Sequence, residues 1–387
     1  MFGNNYLSKS KTFERKISSP VNPNIDAIVS IPCYDEDFLF STLDSLNAAM
    51  LKCPSKLVEV IVVINSSKDS SEEIVHKNLM LSQSLNEFCG EESAHYSFTL
   101  HQILLENIPP KIAGVGYARR VGMDEAVCRY NDISKPDGLI ISLDADSLVS
   151  ENYFSSIFSA VKANKKSPAY VFGFCHNYDT KLFSEEEIVA TKLYEKYLYY
   201  HKENLKIAGF PHYFHTIGSC FACTAIAYIK AGAMPCRQAG EDFYFLHKLA
   251  NLGDVFEISE TLVFPASRVS NRVPFGTGKA VDTILENKYF DVYNHKLYSL
   301  LKTFFSSFDE IFEAKSLNID KIPNPIVNFM GEDELNNIFD DCFKNSSNLI
   351  MFKKRLFVHF NAFWIVKFFN SFKNSTDFPP ERWYFNI

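Results

Sequence analysis

Gly138-Leu139-Ile140-Ile141-Ser142-Leu143-Asp144-Ala145-Asp146 is the stretch that decides how the rest of this chain is read. Its first six residues carry no charge and are mostly apolar, the composition of a short strand buried on both faces. The run then passes directly into two carboxylates one residue apart. Ligands of open α/β sheets gather beyond the carboxyl ends of the strands, so the stretch reads as a core strand that delivers acidic groups to a site. Continued as a strand, it would point residues 144 and 146 to one side, and two hard oxygen donors at that spacing suit Mg2+ or Mn2+. The competing reading is a solvated turn after a strand.

Working outward, the same alternation of apolar runs and amphipathic stretches recurs, which predicts βα units around a mostly parallel central sheet flanked by helices. Asp26–Pro32 and Leu57–Ile64 read as buried strands, each followed by a polar turn and a helix, and a third strand is expected within Tyr96–Leu105. Gly114 opens a helix that runs to about Tyr130. Beyond Asp146 the pattern predicts helix 150–163, strand 169–175, a Tyr-rich helix 184–206, strand 217–224, helix 241–251, strand 254–264 and a loop to residue 279. From 280 the chain reads as helical to its end. The expected organisation is a polar tail (1–23), an α/β domain (24–279) and a Phe-rich helical lobe (280–387).

Of the 387 residues 47% are apolar and 22% charged, ordinary globular usage, with 36 Phe and 19 Tyr against 2 Trp. Lys and Arg number 39 and Asp and Glu 46, a net charge of −7, which excludes broad affinity for nucleic acid. The nine cysteines are scattered and odd in number, as in a reducing compartment. With neither an apolar leader near Met1 nor a run long enough to span a bilayer, a cytoplasmic protein is expected.

Several constellations could carry chemistry. Glu241-Asp242 follows Gly240 and opens a helix, where carboxylates usually serve the helix N-terminus. A second acidic pair a hundred residues after the first also makes a metal site plus a carboxylate base. Arg119-Arg120 sits early in the Gly-opened helix and suits phosphate. Gly114-x-Gly116-x-x-Arg119 lacks the third glycine of a dinucleotide fingerprint, and Gly276-Thr277-Gly278-Lys279-Ala280 fails as a P-loop. Cys220 and Cys223 lie in an apolar run and read as core thiols, while His212 and His215 sit in a polar aromatic stretch. The loop bearing Arg268, Arg272 and Lys279 has the glycines and cations of a flap closing on a diphosphate, or is a linker. Near the end, Leu356, Phe360, Phe363, Trp364 and Phe368 share a helical face, which predicts a packed helix before a membrane-surface one.

Taken in order, residues 24–265 resemble the family 2 glycosyltransferases of GT-A fold. Ile31-Pro32-Cys33-Tyr34-Asp35-Glu36 is similar to the family's strand-end motif that contacts the donor nucleotide, and Asn65 stands where the family usually has a base-reading Asp. Gly116-Tyr117-Ala118-Arg119-Arg120-Val121-Gly122 is similar to a segment that places Arg119 at the donor. Asp144-Ala145-Asp146 matches the family's Asp-x-Asp metal and diphosphate motif, and Gly240-Glu241-Asp242 its acceptor-side acidic pair.

The resemblance implies an inverting, metal-dependent, hexosyltransferase-like enzyme that moves a sugar from a nucleotide-diphospho sugar to a hydroxyl acceptor (a glycan, lipid or small molecule). Pro32, Tyr34, Glu36, Asn65, Arg119 and Asp144 would bind donor, and Asp144 and Asp146 would hold Mn2+ or Mg2+. Asp242 would be the base, with Glu241, Arg268, Arg272 and Lys279 on the acceptor side or flap. The Gln-x-x-Arg-Trp motif and membrane spans of processive synthases are missing, so a single-addition enzyme is implied. Open alternatives are a nucleotidyltransferase on a related sheet, a non-catalytic sugar- or nucleotide-binding scaffold, and peripheral contact of the C-terminal helix with the cytoplasmic face of a membrane.

Overall fold

The computed structural model describes residues 1–10, 13–89, 95–270, 272 and 276–385. It contains an eight-stranded sheet of β1 (Ala27–Cys33), β2 (Val58–Ser67), β3 (Thr99–Ile108), β4 (Leu139–Ser142), β5 (Ser147–Val149), β6 (Ala169–Phe174), β7 (Phe221–Thr224) and β8 (Phe256–Pro265). Their spatial order is β3-β2-β1-β4-β7-β6-β8-β5. Six strands run one way, while β7 opposes β4 and β6, and β5 opposes β8. This mostly parallel sheet with flanking helices, followed by a helical C-terminal region, is the α/β architecture expected from the sequence.

The central strands are where they are because they can be dry on both faces. All seven residues of β1 are buried, in parallel register with Val58–Ile64 on one side and Leu139–Ser142 on the other. The helices present one apolar face each, as in Leu39–Leu51 with Leu39, Leu43, Leu46 and Met50 turned inward. The helix Glu72–Asn86 opens on Ser71, whose hydroxyl accepts from the Ile74 amide, with Glu72 and Glu73 in its first turn.

Val115–Asp132 is different, because almost every residue of this helix is buried, charged ones included. Each buried charge has partners, as such burial requires. Arg129 forks onto both oxygens of Glu59 at 2.5 and 2.7 Å, and Asp124 accepts from Tyr228 at 2.7 Å and from Tyr6 at 2.6 Å. The N-terminal segment is therefore packed rather than trailing: a short helix Asn4–Lys9 lies on this helix, and the Lys16 and Ile17 amides donate to Glu125.

By contacts the chain forms two compact units, Met1–Thr191 with Thr216–Asp282, and Lys192–His215 with Thr283–Ile387. The sequence boundary at 279/280 falls within three residues of the second division. The segment Lys192–His215 groups with the C-terminal unit because its aromatic side chains find their partners there, for example Tyr197 with Phe290 at 5.3 Å and Phe210 with Phe305 at 6.4 Å.

The Phe-rich lobe is a core of edge-to-face rings, with Phe304 against Phe360 at 4.8 Å and against Phe308 at 5.1 Å. Two expectations about it change. It is not wholly helical, since β9 (Tyr289–Val292) pairs antiparallel with β10 (Glu381–Tyr384). The terminal amphipathic stretch is two helices, Leu349–His359 and Ala362–Asn370, because Asn361 caps the second through the Trp364 amide. Leu356, Phe360, Trp364 and Phe368 are buried. No helix among the described residues is long and apolar enough to cross a membrane.

Candidate functional site

Several of the residues singled out in the sequence follow the carboxyl ends of β1 and β4, and others, Arg119, Glu241 and Asp242 among them, come from the opening turns of helices. β1 ends at Cys33, and the chain turns through Tyr34 and Asp35, the latter at φ 48°. Asn78 holds this turn, accepting from the Asp35 amide at 3.2 Å while its own amide donates to the Asn65 carbonyl at the end of β2 at 3.1 Å. Glu36 is buried and uses both oxygens. Oε1 accepts from the Asp37 and Phe38 amides at 3.0 Å each, and Oε2 accepts from Arg268 at 2.5 Å and Arg272 at 2.9 Å.

β4 stops at Ser142, so Asp144-Ala145-Asp146 is a turn into β5, closed by the Ser147 amide on the Asp144 carbonyl at 3.2 Å. The strand alternation expected to converge the two carboxylates therefore does not apply. They reach different cations. Asp144 Oδ1 accepts from Arg119 Nη2 at 2.7 Å, and Asp146 Oδ2 from Arg268 Nη2 at 2.7 Å with Arg272 at 3.7 Å. Thr42 pins the turn from below by donating to the Ala145 carbonyl at 2.9 Å.

Arg119 is the joint of the site. Only 2% exposed, it donates to Asp144, to Glu241 at 3.2 Å, and through Nη1 to Ser142 Oγ at 2.5 Å and the Gly218 carbonyl at 2.9 Å. Burial pulls its pKa down, but Asp144 and Glu241 more than offset that and hold it above the ordinary value. It is a permanent, fully coordinated cation. Glu241 and Asp242 open the helix Glu241–Ala250 from Gly240, whose φ of 70° is the left-handed conformation that glycine supplies without strain. Asp242 accepts from the Phe243 amide at 2.7 Å. Burial, and then the negative Glu241 beside it, push the Asp242 carboxyl up to about 7. Burial raises Glu241 as well, against the pull of Arg119.

The two acidic pairs, Glu36 and three guanidiniums form two ion networks, Arg119 with Asp144 and Glu241, and Arg268 and Arg272 with Glu36 and Asp146, joined through the Asp144–Asp146 turn. Five carboxylates (Glu36, Asp144, Asp146, Glu241, Asp242) face three cations (Arg119, Arg268, Arg272), a surplus of two negative charges when all are ionised. That surplus is the charge of one divalent ion. Asp144 and Asp146 each have one oxygen on a guanidinium and a second that no described residue hydrogen-bonds. Mg2+-like ions commonly take one or two carboxylates and complete their shell with water and substrate phosphate. The donor set fits such a group.

The other candidates are placed as follows. Pro32 lies within β1 opposite Val63, the Tyr34 carbonyl accepts from Arg272 at 2.9 Å, and Asn65 is 3% exposed at the end of β2. Lys279, in the helix Thr277–Asn287, bonds Asp282 at 2.6 Å. Of the expected flap, 271 and 273–275 lie outside the described residues. His212 and His215 belong to the C-terminal unit, where His215 meets Tyr199 edge-on at 4.8 Å. Cys220 and Cys223 are buried free thiols. Sequence reasoning missed Ser142, Gly218 and Asn78. A serine inside the apolar run of β4 was the available signal for the first. The others carry none.

No family model matches the chain, and no curated protein matches it. Among solved structures, S. aureus TarS 1-349 in complex with UDP-GlcNAc is 12% identical over 87% of this chain and 92% of its own, with a TM-score of 0.43. Glucosyl-3-phosphoglycerate synthase from Mycobacterium tuberculosis, in complex with Mn2+, UDP-glucose and phosphoglyceric acid, is 11% identical over 60% of this chain and 69% of its own, with a TM-score of 0.32. The fold assignment rests on this chain's own strand order, and the chemistry on its own side chains.

Proposed function

We propose that the N-terminal unit is a glycosyltransferase that moves a sugar from a nucleotide-diphospho sugar to a hydroxyl acceptor with inversion at the anomeric carbon. The observation that carries this reading is the buried Arg119, which bonds one carboxylate of the Asp-x-Asp turn and one of the Gly240-Glu241-Asp242 pair. It ties a diphosphate-side group to a base-side group through one rigid fork.

In this reading Asp242 removes the acceptor proton as the hydroxyl attacks. A carboxyl pushed up to about 7 is matched to that task, since a base works best with a pKa near the operating pH. Arg268 and Arg272, now on Glu36 and Asp146, are the cations within reach of a diphosphate, and planar guanidiniums suit its oxygens. Pro32, Tyr34 and Asn65 line the ends of β1 and β2, where a nucleoside would lie. Asp144 and Asp146 would hold Mg2+ or Mn2+, which when bound neutralises charge on the leaving diphosphate.

The test is thermal unfolding against a panel of nucleoside diphosphates and nucleotide sugars, with and without Mn2+, followed by transfer assays. A ligand at 100 times its dissociation constant stabilises by about 2.7 kcal/mol. The expected result is a nucleotide shift that needs the metal and is lost in Asp146→Ala, while Asp242→Asn keeps the shift and loses transfer. Normal transfer by Asp242→Asn would remove the base assignment. The absence of any nucleotide shift would remove the donor class.

A further inference from the structure

A second cluster of ligating side chains lies in the C-terminal unit, apart from the residues described above. Asp341 and Cys342 are near the end of the helix Glu332–Lys344, and His359 is the last residue of the helix Leu349–His359. One ligand atom from each of the three lies within 4.8 Å of the other two. Sulfur, nitrogen and oxygen donors of a tetrahedral zinc site stand roughly 3.5 Å apart, as bonds of about 2.0–2.3 Å require. The difference is at most about 1.3 Å, within the reach of side-chain rotation.

The protein gives these groups little else to do. Cys342 is fully buried, and neither its sulfur nor the His359 ring has a hydrogen-bond partner among the described residues. A buried free thiol is ordinarily a small apolar filler, but this one has a carboxylate and an imidazole converging on it. Asn345 donates to Asp341 Oδ1 at 2.9 Å and leaves the other carboxylate oxygen available, the outer-shell arrangement that orients a ligating carboxylate. His359 sits at a helix C-terminus, where the partial negative charge of the carbonyls favours a cation.

We propose that Asp341, Cys342 and His359 form a three-ligand site for a Zn2+-class transition metal that clamps these two consecutive helices across the 345–348 turn. The thiolate selects a borderline-soft ion over Mg2+. Binding forms metal–sulfur, metal–nitrogen and metal–oxygen bonds and releases the thiol proton to solvent. Asp341 and His359 are exposed, so a fourth position stays open to water. With three protein ligands the site is weaker than a closed four-ligand one.

The test is titration of the reduced, chelator-treated full chain with Co2+, read by optical absorption, and with Zn2+, read by thermal unfolding. The expected result is one equivalent giving a thiolate-to-cobalt charge-transfer band with tetrahedral d–d bands, and a Zn2+-dependent rise in Tm. Cys342→Ser loses the band, and His359→Gln, a change at an exposed position, weakens Zn2+ at least tenfold. A cobalt spectrum without the charge-transfer band, a band that survives Cys342→Ser, or unchanged affinity in His359→Gln overturns the proposal. The hard-oxygen site at Asp144 and Asp146 has no thiolate, so the band reports on this cluster whether or not sugar transfer is found.

Discussion

Asp242→Asn tests the electrostatics of the candidate site without any substrate. The carboxyl is pushed from 3.8 to about 7, first by burial and then by Glu241. Its folded pKa thus lies above its unfolded one. Between about pH 4 and pH 7 the native state holds a proton that the unfolded chain has released, so stability falls as pH rises, by about 1.4 kcal/mol per unit. Roughly three units give about 4 kcal/mol as a ceiling, because Glu241 rises too and takes up part of the same proton. Asparagine mimics the neutral acid and cannot ionise. The variant should match the parent near pH 4 and exceed it progressively until about pH 7, by up to about 4 kcal/mol, which at roughly 2–4 °C per kcal/mol is plainly visible in Tm. The assay is unfolding of both proteins from pH 4.5 to 8.5 in chelator, checked by urea titration. Parallel stability curves, or a parent that gains on the variant as pH rises, would falsify the account of a half-buried Asp242 with an elevated pKa. If the proposed mechanism holds, kcat/KM of the parent climbs through the same pH range as the base loses its proton.

Two further substitutions probe other joints. Arg268→Ala removes the guanidinium shared by Glu36 and Asp146. Calorimetry should find nucleoside diphosphate affinity reduced by roughly 2–5 kcal/mol while Mn2+ alone binds more tightly; unchanged nucleotide affinity would take Arg268 out of the site. Gly122→Ala would put a Cβ 2.2 Å from Ser30 Oγ and 3.1 Å from Val63, where the helix Val115–Asp132 crosses β1. It should destabilise by about 1–3 kcal/mol in urea unfolding, with recovery on adding Ser30→Gly. An unperturbed midpoint would contradict the close approach.

How much of this was legible beforehand differs by element. β1, β2 and β4 were readable because a strand dry on both faces is written as an uninterrupted apolar run, and the helices between them because their apolar positions recur at helical spacing. β5, at the edge of the sheet, has three residues, and β9 and β10 have four each with mixed burial. Segments that short carry too few positions for a period to stand out. The helix break at Asn361 was hidden inside a continuous aromatic pattern, since Phe360 and Trp364 are buried on either side of it.

The sequence by itself singled out the charged groups that the candidate site gathers: the paired carboxylates at 144/146 and 241/242, the Arg at 119, and the cations after β8. Local composition is sufficient there, because a charge at a strand or helix end is visible as such. Only the tertiary structure decided who partners whom. Arg119 meets Glu241 across 122 residues and Arg268 meets Glu36 across 232, pairings set by the order of strands in the sheet. Periodicity tells a strand which face to bury but not which strand lies beside it. The same holds for Asp242, whose carboxyl is raised by burial and by Glu241 together, an environment that exists only once the helix is packed.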